Sequence, residues 1–195
     1  MILILTRHGE TVENVTGIIQ GQTDGHLTEK GVQQAKLLAK RLKDEKIDVI
    51  YSSDLGRTRN TTKEIIKFHK CPVHYIKELR ERYLASFEGK HFSEVPWGDQ
   101  PGDLETLEAM RERAKKLIDT TYDKHPNETV LFVGHGALNS MMLSVIKNVH
   151  FTLEQYRKGI QDQKNTAVSI FELTEDKNHK IHILNCDKHL SVADN

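Results

Sequence analysis

The sequence predicts an α/β protein built around one mostly parallel sheet of roughly six strands, and three observations predict it. Short apolar runs alternate with stretches whose apolar residues recur every three or four positions, the pattern of strands interleaved with helices. Strand-like runs give way to helical periods through short polar steps that carry glycine, as at Gly9, Gly56 and Gly134. The last two runs, 166–173 and 180–184, are joined only by a polar turn, which adds a closing hairpin to the parallel set.

Each element has its own justification. Residues 1–5 are an Ile/Leu run that hands Arg7 and His8 to a loop. In open α/β sheets, ligands bind beyond the carboxyl ends of the strands, so this pair is expected at the rim of a site. A polar segment at 11–26 follows, with Gly17, Gly21 and Gly25. Thr28 then caps a helix whose apolar side is Val32, Ala35, Leu38, Ala39 and Leu42. Residues 47–51 form a second strand, and Ser52-Ser53-Asp54 is expected to cap a helix running to about His69. Pro72 precedes a third strand at 73–76. The stretch 79–101 holds Gly89, Pro96, Trp97, Gly98 and Pro101, and reads as a functional loop with one helical turn. A helix at 104–122, a strand at 129–133 and a helix at 137–146 complete the alternation. No repeat, low-complexity tract or linker divides residues 1–195, which read as a single domain.

Composition removes several classes of function. Lys plus Arg equals Asp plus Glu at 28 each, so no bulk field draws a nucleic acid or an anionic membrane. No apolar run approaches membrane-spanning length, and the N-terminus lacks the pattern of a signal peptide. Cys71 and Cys186 are too few for a disulfide framework and have no metal-ligand spacing, which suits a reducing compartment; the expected location is the cytoplasm. Among the 11 histidines no HExxH motif or Cys/His cluster with ligand spacing occurs, and His179 and His182 fall on opposite faces of a predicted strand. Neither a metal nor another cofactor is expected. Zero net charge and the lack of a coiled-coil repeat leave monomer and homodimer both open.

Four short blocks carry chemistry. Arg7-His8 offers a cation beside a nucleophile or base at a strand end. Gly134-His135-Gly136 repeats that architecture, and two strands of one parallel sheet would bring His8 and His135 to the same edge. Backbone N–H groups at the start of the helix after His135 would add an anion site. Arg57 stands on the first turn of a helix at that edge, a second guanidinium whose forked donors match phosphate oxygens. Glu78-Leu79-Arg80-Glu81-Arg82 places carboxylates just past the third strand, where one could serve as general acid, although mixed charge runs are usually solvated faces.

Arg7-His8-Gly9-Glu10-Thr11 with Asn14, Ser53-Asp54-Leu55 with Arg57-Thr58, Leu79-Arg80-Glu81 with Glu88-Gly89, and Gly134-His135-Gly136 occur in a telling order and spacing. By these blocks the chain is identified as a member of the histidine phosphatase superfamily, in its phosphoglycerate-mutase-like branch, over nearly its whole length. The resemblance implies a three-layer α/β/α sandwich. It implies that His8 is the nucleophile that becomes a phosphohistidine, that Arg7, Arg57 and His135 form the phosphate pocket, and that Glu81 is the proton donor. Asn14, Gln20, Gly21, Gly136 and the backbone after His135 would complete phosphate or substrate contacts. The physics agrees, because phosphoryl transfer asks for positioning and charge stabilisation, which two arginines and a histidine supply without a metal.

The short interval between Glu81 and His135 favours a phosphatase over a phosphoglycerate mutase. The expected partner is thus a small phosphorylated metabolite, with no nucleic acid and no membrane. The pattern around Glu88-Gly89-Lys90 is most similar to the fructose-2,6-bisphosphatase and broad-specificity types. A non-catalytic phospho-ligand binder would keep Arg7 and Arg57 but gain nothing from His8 and Glu81. Two departures fall at the substrate mouth: Tyr83-Leu84-Ala85-Ser86-Phe87 lacks the usual glycine, and Gly102-Asp103-Leu104-Glu105-Thr106 is longer than the usual helix start. Arg82, Lys90 and His91 are candidates for a second anionic group, with a solvated side chain as the default for each. Phe87, Phe92 and Trp97 are candidate walls.

Overall fold

The computed structural model describes residues 1–97 and 102–194, so Gly98 and Pro101 of the expected loop lie outside the described residues. One sheet of six strands organises the chain in the order β3-β2-β4-β1-β5-β6. These are β1 (Ile2–Arg7), β2 (Val49–Ser53), β3 (Val73–Ile76), β4 (Thr129–Gly134), β5 (Val168–Glu172) and β6 (Lys180–Cys186). The first four run parallel, and β5 and β6 return antiparallel. The sheet is mostly parallel and six-stranded, as the alternation predicts.

Helices cover both faces because the central strands bury both sets of side chains. On one face Ile4, Ile50, Leu131 and Val133 pack against Leu38, Ala39 and Leu42 of α2 (Glu29–Leu42) and Ile65 of α3 (Gly56–Ile65). On the other, Leu3, Leu5, Val130 and Phe132 meet Met110, Ala114 and Leu117 of the long helix Leu107–Lys124 and Leu138 and Met142 of the helix Gly136–Ile146. Each strand alternates sides residue by residue, which gives the three layers.

Two further helices were not expected from periodicity. Five residues, Val12–Thr16, form α1 behind a reciprocal cap between Thr11 and Asn14. With α1 counted first, the helices Leu107–Lys124 and Gly136–Ile146 are α4 and α5, and Leu153–Asp162 is α6. The start of α6 carries the same device, with Gln155 N donating to Thr152 Oγ1 and Thr152 N donating to Gln155 Oε1.

Several boundaries differ from expectation for local reasons. Ser52-Ser53-Asp54 does not cap α3; its N-cap is Leu55, with no side-chain cap. Asp54 is instead engaged by Arg80, whose Nε and Nη2 donate to its two carboxylate oxygens at 2.6 and 2.7 Å. The same helix stops at Ile65 rather than near His69. The 104–122 helix starts at Leu107, where Thr106 supplies the cap through its hydroxyl. Among the described residues between β3 and α4 lie three 3-10 turns, Lys77–Leu79, Ala85–Phe87 and Phe92–Glu94, where one helical turn was expected. The first is anchored in the main core by Leu79, while the stretch after it has a small core of its own: Ile19, Phe87, Val95 and Leu104, with Leu84 and Trp97 against it. No helix among the described residues is long and apolar enough to cross a membrane.

Candidate active site

The register of β1 on β4 decides the site. Arg7 pairs with Gly134, and His8 N donates to the Gly134 carbonyl at 3.1 Å, so His8 and His135 leave the sheet side by side. Their ring centroids are 5.2 Å apart and the planes cross at 60°. Both imidazoles are buried, at 3% and 0% exposure. Beyond them opens a cavity of about 190 Å3 lined at its base by Arg7, His8, Asn14, Gln20, Gly21, Arg57, Glu81 and Arg82. Each of these was singled out in the sequence.

His8 is held in one tautomer. Its Nδ1–H donates to the Gly9 carbonyl at 2.7 Å, which leaves Nε2 as the free lone pair of a neutral ring. Burial pushes the imidazole well below its usual 6.5, and the nearby Arg57 and Arg7 cations push it further. The turn that presents it is tight, because a Cβ on Gly9 would stand 2.4 Å from the Gly31 carbonyl oxygen. Thr61 of α3 accepts from Gly9 N, and Asn165 Nδ2 donates to the His8 carbonyl. The loop is clamped from both sides.

His135 takes the opposite tautomer. Its Nδ1 accepts from Arg57 Nε at 3.2 Å, so the proton of the neutral ring sits on Nε2. That Nε2 is buried with no partner, as is Nε of Arg7, whose Nη1 donates to the Gln163 carbonyl. Burial, with Arg57 and His8 as neighbours, holds His135 well below 6.5. Orphaned buried donors are rare and costly; Arg7 lines the cavity, whereas His135 lies beside His8 and is not itself among the lining residues.

Arg57 is more committed than expected. Only 1% exposed, it donates through Nη1 to the Thr23 carbonyl and through Nη2 to the Gly21 carbonyl, besides its bond to His135. It pins the 20–23 loop to the sheet edge while adding charge to the cavity. Burial lowers its pKa to about 10, which still leaves it a cation at neutral pH. Gly21 adopts φ +51°, and a Cβ there would meet the Glu88 carboxylate at 2.0 Å. Glu88 accepts from Gln22 N and Leu84 N and so ties this loop to the mouth.

The helix N-terminus after His135 corrects one expectation. Its exposed donors are not an open anion site: Ala137 N and Leu138 N donate to Glu81 at 3.0 and 3.1 Å, and Arg82 N donates to the same carboxylate. The Glu81 carboxyl group thus caps the N-terminus of α5, and these bonds fix its place in the cavity. Gly136 opens that helix and is buried, behind the Glu81 carboxylate. Arg82 departs from its default too. It is 3% exposed, with Nε donating to the Glu105 carbonyl.

Asn14 Oδ1 accepts from Asn165 Nδ2, and Gln20 Nε2 donates to Thr11 Oγ1. Among the other mouth candidates, Phe92 and Trp97 line the cavity, while Phe87 lies beneath with its ring edge-on to Trp97. Lys90 and His91 are not among the lining residues; Lys90 lies over the Phe87 ring and His91 caps a 3-10 turn. Sequence reasoning missed Leu153, Tyr156 and Arg157, which α6 brings to the cavity. The Thr152-x-x-Gln155 cap was the available signal. Among the described residues no group of three or more His, Cys, Asp or Glu is placed to hold a metal ion.

This sheet edge, with a histidine at the end of each of two neighbouring parallel strands and buried arginines between them, is that of a phosphoryl-handling α/β protein. Residues 3–186 match the histidine phosphatase superfamily (branch 1), and the chain belongs to that family. It is 33% identical over 192 residues to a metal-independent phosphoserine phosphatase of Arabidopsis thaliana, covering 90% of this chain and 77% of that one. It is 31% identical to phosphoglycerate mutase-like protein 4 of the same plant, covering 96% and 86%. Among solved structures, a mutant phosphoserine phosphatase from Entamoeba histolytica in complex with phosphoserine superposes with a TM-score of 0.83 at 27% identity, covering 97% and 98%. These likenesses set phosphatase and mutase-like subtypes side by side and single out neither the fructose-2,6-bisphosphatase type nor another.

Proposed function

We propose that this protein is a metal-independent phosphomonoesterase that hydrolyses a small phosphorylated metabolite through a phosphohistidine on His8. One observation carries the reading: a neutral imidazole with its Nε2 lone pair free, locked by Gly9 and flanked by Arg7 and Arg57, shares a cavity with a positioned carboxylate. The phosphoserine phosphatase relatives support the hydrolytic outcome.

In this reading the phosphoryl oxygens take the unpartnered Arg7 Nε–H and His135 Nε2–H, and Arg57 adds charge from behind. Asn14, Gln20, Gly21, Gly136 and Arg82 complete the surroundings of the phosphate and substrate. His8 Nε2 attacks phosphorus and the P–O bond to the alcohol breaks. Glu81, as the acid, gives a proton to the departing oxygen. As carboxylate it then takes a proton from a water that attacks the phosphohistidine, freeing inorganic phosphate and returning His8 neutral. Separating the reaction into two displacements lets one set of cations serve both transition states. The half-buried thiols Cys71 and Cys186 are unpaired, as suits the cytoplasm.

The test is phosphate release, in chelator, from phosphoserine, 3-phosphoglycerate, fructose-2,6-bisphosphate, α-ribazole phosphate and p-nitrophenyl phosphate, with His8→Ala alongside. Hydrolysis lost in the variant is the expected result. Phosphate moved between hydroxyls of 3-phosphoglycerate only after priming with bisphosphoglycerate, without net release, would make the protein a mutase instead.

A further inference from the structure

The walls of the cavity change character from base to mouth. At the base stand Arg7, His8, Arg57 and Arg82; the middle is apolar, with Ile18, Ile19, Leu84, Phe92, Trp97 and Leu153; at the rim stands a fourth arginine. That residue, Arg157, belongs to α6, where Leu153, Tyr156 and Arg157 are spaced i, i+3 and i+4 and so share one stripe. The reciprocal Thr152–Gln155 cap fixes where the stripe begins. Tyr156, 3% exposed, anchors it, its phenol pushed upward by burial beside Glu81.

Arg157 has a distinctive environment. Its guanidinium lies 5.6 Å from the centre of the Trp97 ring, and no carboxylate among the described residues pairs with it. Four other described arginines around the site are engaged within the protein, Arg80 by Asp54, Arg113 by Glu105, Arg82 by the Glu105 carbonyl, and Arg57 by two carbonyls and His135, while Arg7, with its Nε unpartnered, stands at the base beside His8. A half-buried guanidinium within cation–π reach of an indole is partly desolvated, which strengthens any pairing it makes with an anion.

We infer that Arg157 is a specificity-determining residue, and that the substrate is a phosphomonoester whose leaving alcohol has an apolar body ending in a carboxylate. The phosphate sits at the His8 end, the body lies along Ile19, Leu84, Phe92 and Trp97, and the carboxylate reaches Arg157. This rests on the phosphatase reading above and names the substrate class for the same site. A planar guanidinium grips a carboxylate or a phosphate through two parallel N–H groups, and the carboxylate is the smaller of the two for a cavity of about 190 Å3 that already takes one phosphate at its base.

The experiment compares 4-carboxyphenyl phosphate with 4-carbamoylphenyl phosphate, two substrates of the same shape whose distal groups differ in charge. The reading is the ratio of their kcat/KM values in the wild type, Arg157→Gln and Arg157→Lys, with thermal melts confirming that each variant is folded. The expected ratio in the wild type is about ten in favour of the carboxylate. It falls to near one in Arg157→Gln and lies between in Arg157→Lys, which keeps the charge without the fork. A ratio near one in the wild type, or a preference that persists in Arg157→Gln, overturns the inference while hydrolysis of both compounds leaves the phosphatase reading standing. Failure to hydrolyse either compound, or hydrolysis that survives in His8→Ala, removes the phosphatase reading and this inference with it.

Discussion

At the base of the cavity, His8 and His135 leave adjacent strands whose register is set by the pairing of Arg7 with Gly134. At the mouth, Phe92 and Trp97 stand on or beside 3-10 turns next to a small separate core, and Leu153 and Arg157 stand on a short helix that Tyr156 ties into the main core. The base is therefore rigid to the extent that the sheet is. A strand slip that moved either histidine would turn every side chain of β1 to the wrong face. The mouth has no such penalty for change. Chemistry is tied to the sheet and selection to the loops, so relatives can share the one and differ in the other.

The largest effect expected lies at the base. His8→Ala removes the nucleophile, and kcat should fall by about 10^4-fold or more, read by phosphate release. The fold should survive, because its neighbours are held by Asn165 and Thr61 through backbone atoms. Arg57→Ala should lose both activity and stability. It frees the Gly21 and Thr23 carbonyls and a buried His135 nitrogen, at a cost of about 2–4 kcal/mol in chemical denaturation. A loss of activity with unchanged stability would mean that its bonds to the 20–23 loop do little structural work.

Next comes Glu81→Gln, which keeps the shape and removes the proton. The loss in kcat/KM, which reports the first displacement, should be about 10^2–10^4-fold for alkyl phosphates and much smaller for p-nitrophenyl phosphate, whose leaving group needs no acid. An equal loss on both would assign Glu81 a purely positioning role at α5.

Acid should act on the base before the mouth. His8 and His135 are held neutral, well below 6.5, so below that pH the unfolded chain binds more protons than the native one. Stability is thus full above about 6.5 and falls as the pH drops below it. The Tm-against-pH curve should bend there, and less so in His8→Asn; the acid limb of kcat/KM should lie well below 6.5. The smallest effect belongs to the mouth: Thr152→Ala removes half of the α6 cap, costs about 1 kcal/mol or less, and should raise KM with little change in kcat.

The same division explains how much the sequence revealed. Arg7, His8, Arg57 and His135 were legible because each follows a strand-like run, and parallel strands end at a common edge. Glu81 was legible only through its family block. Its attachment to Ala137 and Leu138 is a tertiary approach between segments 56 residues apart, which no local pattern encodes. The order of the strands was equally hidden: β1 lies between β4 and β5, far from it in sequence. At the mouth, α1 is a single capped turn and α6 a short helix whose stripe is interrupted by charge, so periodicity was too brief to register. Asp54 shows the converse failure. A good capping residue by type, it was drawn away by the bidentate grip of Arg80.

The most direct measurement is capture of the phosphoenzyme. The protein is mixed with radiolabelled p-nitrophenyl phosphate, quenched in alkali within the first turnover, and digested to locate the label. The expected result is phosphate on His8, stable in base, lost in acid, and absent from His8→Ala. Turnover that leaves no label on His8, or label that persists in His8→Ala, would contradict the nucleophilic role on which the rest depends.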